Sequence, residues 1–244
     1  MMKKSTILIV AGIAFTFTLS AHAVELTEEL DLALDIKGLS DYRAGGISMT
    51  NNNSALWMDA TLVHKKSGGH VGIFTSNIDF GTAANREFAY YLGIARPLSE
   101  NIFASFSRLE YEYPSSSQFN FGEWIGTLSA YGATLGVKYT DDIKPFNEKR
   151  TIAWVEYEHK LPHGLSIDVR YGLTDTENDI YIDSEGSSRS TYYDWEIGIG
   201  KQQWGLDFRL SYIDTDLSKS ECASSFGADD ICSSTFVGSI SKRF

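Results

Sequence analysis

The sequence predicts an all-β fold, a transmembrane antiparallel up-and-down β-barrel of about twelve strands. Three observations predict it: an export leader at the N-terminus, period-two alternation through the rest of the chain, and connections that alternate between long and short.

The leader comes first. Lys3 and Lys4 precede an uncharged, mostly apolar run from Ile7 to Leu19, and Ala21-His22-Ala23 then places small residues at both positions that a signal peptidase reads. The run is too short to span a bilayer comfortably as a helix. Residues 1–23 are therefore expected to be a cleaved signal peptide, and 24–244 a single outer-membrane barrel domain. The whole chain carries a net charge of −11, which disfavours nucleic acid as a partner.

Composition narrows the class. With 13 Tyr, 14 Phe, 5 Trp and 21 Gly against only 4 Pro, the chain favours many strands joined by tight turns. After the leader there is no apolar run long enough for a transmembrane helix. If the mature chain enters a membrane it must do so as a closed barrel, the one sheet that leaves no backbone group unpaired in lipid.

Alternation supplies the strands. Leu30, Leu32, Leu34 and Ile36 alternate with Asp31, Ala33, Asp35 and Lys37, and Leu165, Ile167, Val169 and Tyr171 alternate with Ser166, Asp168, Arg170 and Gly172. Tyr193, Trp195, Ile197 and Ile199 against Asp194, Glu196, Gly198 and Gly200 repeat the theme, as do Leu206, Phe208, Leu210 and Tyr212 against Asp207, Arg209 and Ser211. The predicted strands are 29–37, 54–64, 70–77, 87–95, 102–113, 121–128, 133–140, 151–159, 165–172, 192–201, 205–215 and 235–244. Alternation is poorest in 70–77 and 102–128.

Connection length is independent of that pattern. The connections 38–53, 78–86, 114–120, 141–150, 173–191 and 216–234 are longer than the intervening 65–69, 96–101, 129–132, 160–164 and 202–204. Short periplasmic turns and longer extracellular loops, with both termini periplasmic, require this order. Orientation follows, and it places Tyr90, Tyr111, Tyr113, Tyr139, Tyr171, Tyr193 and Tyr212 on the apolar face near the extracellular strand ends, as a headgroup-level belt. The last strand ends on Phe244, a terminal aromatic like those of clients of the barrel-assembly machinery, although Lys242 interrupts its apolar face. Outer-membrane lipid and lipopolysaccharide are the expected surroundings, in the outer membrane of a Gram-negative bacterium.

Four segments carry a family resemblance: Ser40-Asp41-Tyr42-Arg43-Ala44-Gly45-Gly46-Ile47-Ser48, Ser76-Asn77-Ile78-Asp79-Phe80-Gly81, Leu161-Pro162-His163-Gly164 and Tyr212-Ile213-Asp214-Thr215-Asp216. Together they resemble the landmarks of the TorF family of porins, across essentially the whole mature chain. Ala44 and Gly45 stand where that family usually has an aromatic residue and an arginine. The resemblance implies an outer-membrane barrel and supplies no substrate and no catalytic residue.

The polar face is where function is expected. On the predicted strands it holds Glu29, Asp31, Asp35, Asp59, Glu87, Glu110, Glu112, Glu123, Glu156, Glu158, Asp168, Asp194, Glu196 and Asp207. Facing them are Lys37, Arg108, Lys138, Arg170, Arg209 and Arg243. The acidic excess predicts a water-filled lumen that prefers cations and passes small solutes by diffusion. A closed structural or adhesion barrel is the alternative.

Catalysis is not expected: His64, His70, His159 and His163 flank predicted periplasmic turns, away from the lipid or extracellular surfaces where barrel enzymes work. Neither a cofactor nor a metal is expected. Asp175, Glu177, Asp179, Asp183 and Glu185 begin like a calcium loop, but Ile180 replaces its turn glycine and Gly186 its bidentate glutamate. Cys222 and Cys232, both in the connection 216–234, are expected to form a disulfide.

Overall fold

A computed structural model describes residues 23–143 and 148–244, together with the backbone of 7–8 and 18–19. The rest of the predicted leader lies outside the described residues. Twelve long strands form one antiparallel sheet: β1 Leu30–Leu39, β2 Ala55–His64, β3 Gly69–Asn77, β4 Arg86–Pro97, β5 Ile102–Glu112, β6 Phe121–Ala130, β7 Ala133–Ile143, β8 Glu148–Leu161, β9 Leu165–Thr176, β10 Thr191–Gln203, β11 Leu206–Thr215 and β12 Thr235–Arg243. Each pairs with its neighbour in sequence, and β12 closes on β1 from Ser239↔Leu39 to Arg243↔Asp35. Val24–Glu25 folds back on β1 beyond the end of that seam, pairing with Leu32 and Asp31, so the closing edge is covered along its length.

The predicted alternation of long and short connections is present, although 144–147 is no longer than 65–68 or 98–101, because β7 and β8 run further than the predicted 133–140 and 151–159. Turns 65–68, 98–101, 131–132, 162–164 and 204–205 lie at one end of the barrel. Two are two-residue hairpins, Tyr131-Gly132 and Trp204-Gly205, in which both residues have positive φ. That backbone matches the right-handed twist of the flanking strands, and the glycine adopts it without a Cβ penalty.

The opposite end carries the structured connections. In 40–54, Arg43–Ala44 pairs with Ile47–Ser48, and in 177–190, Tyr181–Ile182 pairs with Ser188–Arg189. The connection 216–234, with no periodicity in its sequence to predict an element, contains a helix, α1 Lys219–Phe226. Ser218 and Glu221 cap each other's backbone N–H groups at its start, and Gly227 ends it in the left-handed region.

The outward residues are apolar and exposed: Leu92 is 65 % exposed, Leu135 58 % and Ile197 55 %. In a soluble protein such a surface would be a liability, and in a barrel it is the lipid face. Tyr90, Tyr139, Tyr171 and Tyr193 are exposed on it, with Tyr171 and Tyr193 stacked at 5.6 Å between ring centroids. Tyr111 and Tyr113, expected in the same belt, point inward and are buried, with their hydroxyls on Glu123 and Glu87.

Candidate functional site

The interior is divided. Strands β2 to β6 turn inward Trp57, Phe74, Ala89, Tyr91, Leu109, Tyr111 and Ile125, which with Tyr42, Tyr113 and Trp154 form a buried cluster filling that side. Large rings fit because glycines face them on neighbouring strands: a Cβ on Gly72 would stand 2.3 Å from the Tyr91 ring, and one on Gly136 would stand 2.0 Å from Trp154. The cross-strand pairs Gly72↔Tyr91 and Gly136↔Trp154 make this a matter of register.

The other side is open. A cavity of about 1730 Å³ is bounded at the loop end by Asp79–Thr82 and Phe226–Ala228, and at the turn end by Leu161, Gly164, Gln202 and Gly205. It thus runs between the two rims along the inner faces of β8 to β12, and also meets residues of β1, β2 and β4 to β7, among them Lys37, Trp57, Glu87 and Glu123.

Fixed charges line that wall, and most are paired. Arg209 on β11 bonds Asp168 on β9 and Glu196 on β10, and Arg170 on β9 bonds Asp194 on β10. The glycines again make room, since a Cβ on Gly198 would meet the Arg209–Asp168 pair and one on Gly172 the Arg170–Asp194 pair. Glu123 on β6 lies 3.1 Å from Lys138 and 3.6 Å from Arg150. Asp35 pairs with Arg243 across the seam at 3.3 Å, and Gln202 donates to Asp207 at 3.1 Å. Asp59 points inward on the filled side, accepting from Tyr91 at 2.7 Å and Thr61 at 2.8 Å. Glu156 and Glu158 line the cavity with no Lys, Arg or His nitrogen within 4.0 Å among the described residues.

Three predicted lumen residues are on the outer face. Glu110 and Glu112 lie on the outer face of β5 near its loop end, together with Arg108, whose Nε is 2.8 Å from Glu110 Oε1 and whose guanidinium sits 5.2 Å from the Trp124 ring. Parity assigned charges to an aqueous lumen, but β5 faces the filled side, where Leu109 and Tyr111 are the better fit. The charges are then tolerated outside because they sit at the polar end of the strand.

The first connection closes part of the mouth. Tyr42 is 1 % exposed and donates to Glu87 of β4 at 3.1 Å, while Gly45 O accepts from Tyr192 of β10 at 2.9 Å. β4 and β10 are six places apart in a ring of twelve, so 40–54 crosses the lumen from wall to wall. Burial, followed by the Glu87 carboxylate, holds the Tyr42 phenol well above its ordinary pKa, so it stays a donor.

Arg43 locks this crossing. Its guanidinium donates to Asp41 at 2.6 Å, to the carbonyls of Gly46 and Ser233 at 2.8 Å each, and to Asn52 at 2.9 Å. The Ser233 contact ties 40–54 to 216–234, as does Ser48 N–H on Ile231 O at 2.9 Å. Cys222 and Cys232 form the disulfide, Cα atoms 6.0 Å apart, inside a small core with Ile47, Tyr181, Tyr192 and Ile231. Arg189 fastens 177–190 to 216–234, through Glu221 at 2.6 Å and Asp216 at 2.7 Å. In the sequence Arg43 is marked only by its place in the first landmark, two residues before Gly45-Gly46, and Arg189 by nothing.

The fold and site define a class: a closed twelve-strand antiparallel barrel that resembles outer-membrane porins in fold, with an internal cavity and an interlocked loop end. Residues 24–244 match the model of a family described as "Bacterial protein of unknown function (Gcw_chp)", and the chain belongs to that family. No curated protein matches the chain. Among solved structures, it is similar to the NanC porin, with TM-score 0.50 and 13 % identity over 85 % of this chain and 97 % of that one. It is also similar to the KdgM porin, with TM-score 0.52 and 6 % identity over 87 % and 99 %. At such identities the likeness is one of fold.

Proposed function

We propose that the protein is an outer-membrane porin, exported by a leader cleaved after Ala23, that lets small solutes diffuse through the charged side of its lumen. The observation that carries this reading is the cavity reaching from the loop end to the turn end beside the filled half. The TorF-like landmarks support it: the first of them, 40–48, is the segment that crosses the mouth and limits what enters.

Selectivity for charge is modest in this reading. The cavity is lined by ten acidic and ten basic residues, not by the acidic excess that parity predicted, because Arg43, Arg150, Lys160, Lys201 and Lys242 join the wall while six predicted acids, Glu29, Asp31, Asp35, Asp59, Glu110 and Glu112, do not line it. Any preference for cations rests on Glu156 and Glu158. The His70–Ser107 contact at 3.1 Å is no catalytic pair in this reading, since neither residue lines the cavity.

The test is conductance of refolded, heat-modifiable protein in a planar bilayer. Discrete conductance steps are expected. A heat-modifiable barrel that conducts nothing would refute the pore and favour a closed barrel acting through its interlocked loops.

A further inference from the structure

We propose that the lumen favours small zwitterionic solutes, aligned with an ammonium group towards Glu156 and Glu158 and a carboxylate towards Lys160; this rests on the pore reading. Glu156, Glu158 and Lys160 occupy successive inward positions of β8 and all line the cavity. At about 3.4 Å per residue, each stands roughly 7 Å along the strand from the next. None of the three has an oppositely charged group within 4.0 Å among the described residues, whereas Asp168, Arg170, Asp194, Glu196 and Arg209 on β9 to β11 are engaged with one another.

Register explains why these three are left over. Glu156 lies opposite Arg170, but that guanidinium is turned to Asp194; Glu158 lies opposite Asp168, which is held by Arg209. Lys160 lies opposite Ser166, which lies opposite Gly200, so small residues leave open space beside the ammonium group. The engaged pairs present little net field to a solute in transit. The three free charges present an acid-over-base dipole along one strand.

A lone cation gains at Glu156 and Glu158 and loses at Lys160, and a lone anion meets the reverse. A neutral solute gains at neither. A zwitterion gains at both when its ammonium leads towards the loop end, and contacts to groups that line an open cavity can be exchanged as passage requires.

The test compares swelling of proteoliposomes in alanine and in lactamide, isomers of the same atomic composition of which alanine alone is a zwitterion. Wild-type protein is expected to pass alanine about two- to fivefold faster, the range that solvent-exposed ion pairs supply. In K160Q and in E156Q/E158Q the alanine-to-lactamide ratio should fall to about one, each variant being first shown to be heat-modifiable. A wild-type ratio of one, or a ratio unmoved by either variant, would overturn the proposal while leaving the pore intact. Loss of the preference in E156Q/E158Q but not in K160Q would also overturn it, since that pattern belongs to a cation-preferring pore. Swelling in neither solute would overturn the pore reading itself.

Discussion

Arg43→Ala should release the segment that crosses the mouth without unfolding the barrel. The Arg43 and Asp41 side chains are 3 % and 6 % exposed, so removing the guanidinium leaves a buried carboxylate whose remaining partners are the hydroxyls of Ser48 and Thr50. Breaking a buried ion pair on one side costs about 3–5 kcal/mol. The other three acceptors, Gly46 O, Ser233 O and Asn52 Oδ1, lose their donor as well. Since about 1.4 kcal/mol is a factor of ten, the equilibrium between docked and released 40–54 should move by roughly two to three and a half orders of magnitude. Tyr42 on Glu87 and Tyr192 on Gly45 O still hold the segment, so release is local. Arg43→Lys keeps the charge but loses the fork that serves four acceptors, and should fall between. The assay pairs protease cleavage within 40–54, applied from the loop side of reconstituted protein, with single-channel conductance. R43A should be cut fastest and conduct with larger or noisier steps. If R43A, R43K and wild type are cut at one rate and conduct alike, the crossing is not what Arg43 secures.

Three further outcomes follow from the same geometry. Replacing Cys222 and Cys232 by serine should leave the barrel heat-modifiable but speed proteolysis of 216–234, because the disulfide constrains that loop, by at most about 3 kcal/mol, and not the strand ladder; mass spectrometry of the non-reduced wild type should show the two cysteine peptides linked. Gly136→Val puts side-chain atoms where the Trp154 ring lies, 2.0 Å from the Gly136 Cβ position, and should lower the denaturant midpoint of the folded form by an amount equivalent to about 1–3 kcal/mol or prevent assembly; an unchanged midpoint would mean the ring has somewhere else to go. At Glu221, burial acts to raise the pKa but is outweighed by hydrogen bonds from Arg189 and Ser218, leaving it below its ordinary 4.5. A depressed carboxylate stabilises above the unfolded pKa and stops doing so as pH falls through the folded one. Protection of 216–234 from an acid-tolerant protease should therefore hold from pH 7 to about 5 and decline below about 4.5, and E221Q should flatten that decline.

The strands, their number and their antiparallel order were legible in the sequence, because a membrane barrel imposes local rules: every outward residue must suit lipid, and every short turn must reverse the chain at once. Leu92, Leu135 and Ile197 obey the first rule, and Tyr131-Gly132 and Trp204-Gly205 the second. The cysteine pair was legible for the same reason, both members lying in one connection. The start of α1 was written in Ser218 and Glu221 and its end in Gly227, and went unread because a long connection in a barrel carries no periodicity to draw attention to it.

What the inward residues do was decided only by tertiary structure. Parity says that Glu112 and Tyr113 face opposite ways, but not which way is in; on β5 the packing of Leu109 and Tyr111 against Ile125 and Tyr42 settles it, and the predicted lumen acids Glu110 and Glu112 end outside. The division of the lumen into a filled and an open half depends on which ring meets which glycine across strands distant in sequence. Arg43 is the clearest case. Its acceptors span residues 41 to 233, and a contact between the first and last long connections exists only once the twelfth strand has closed on the first.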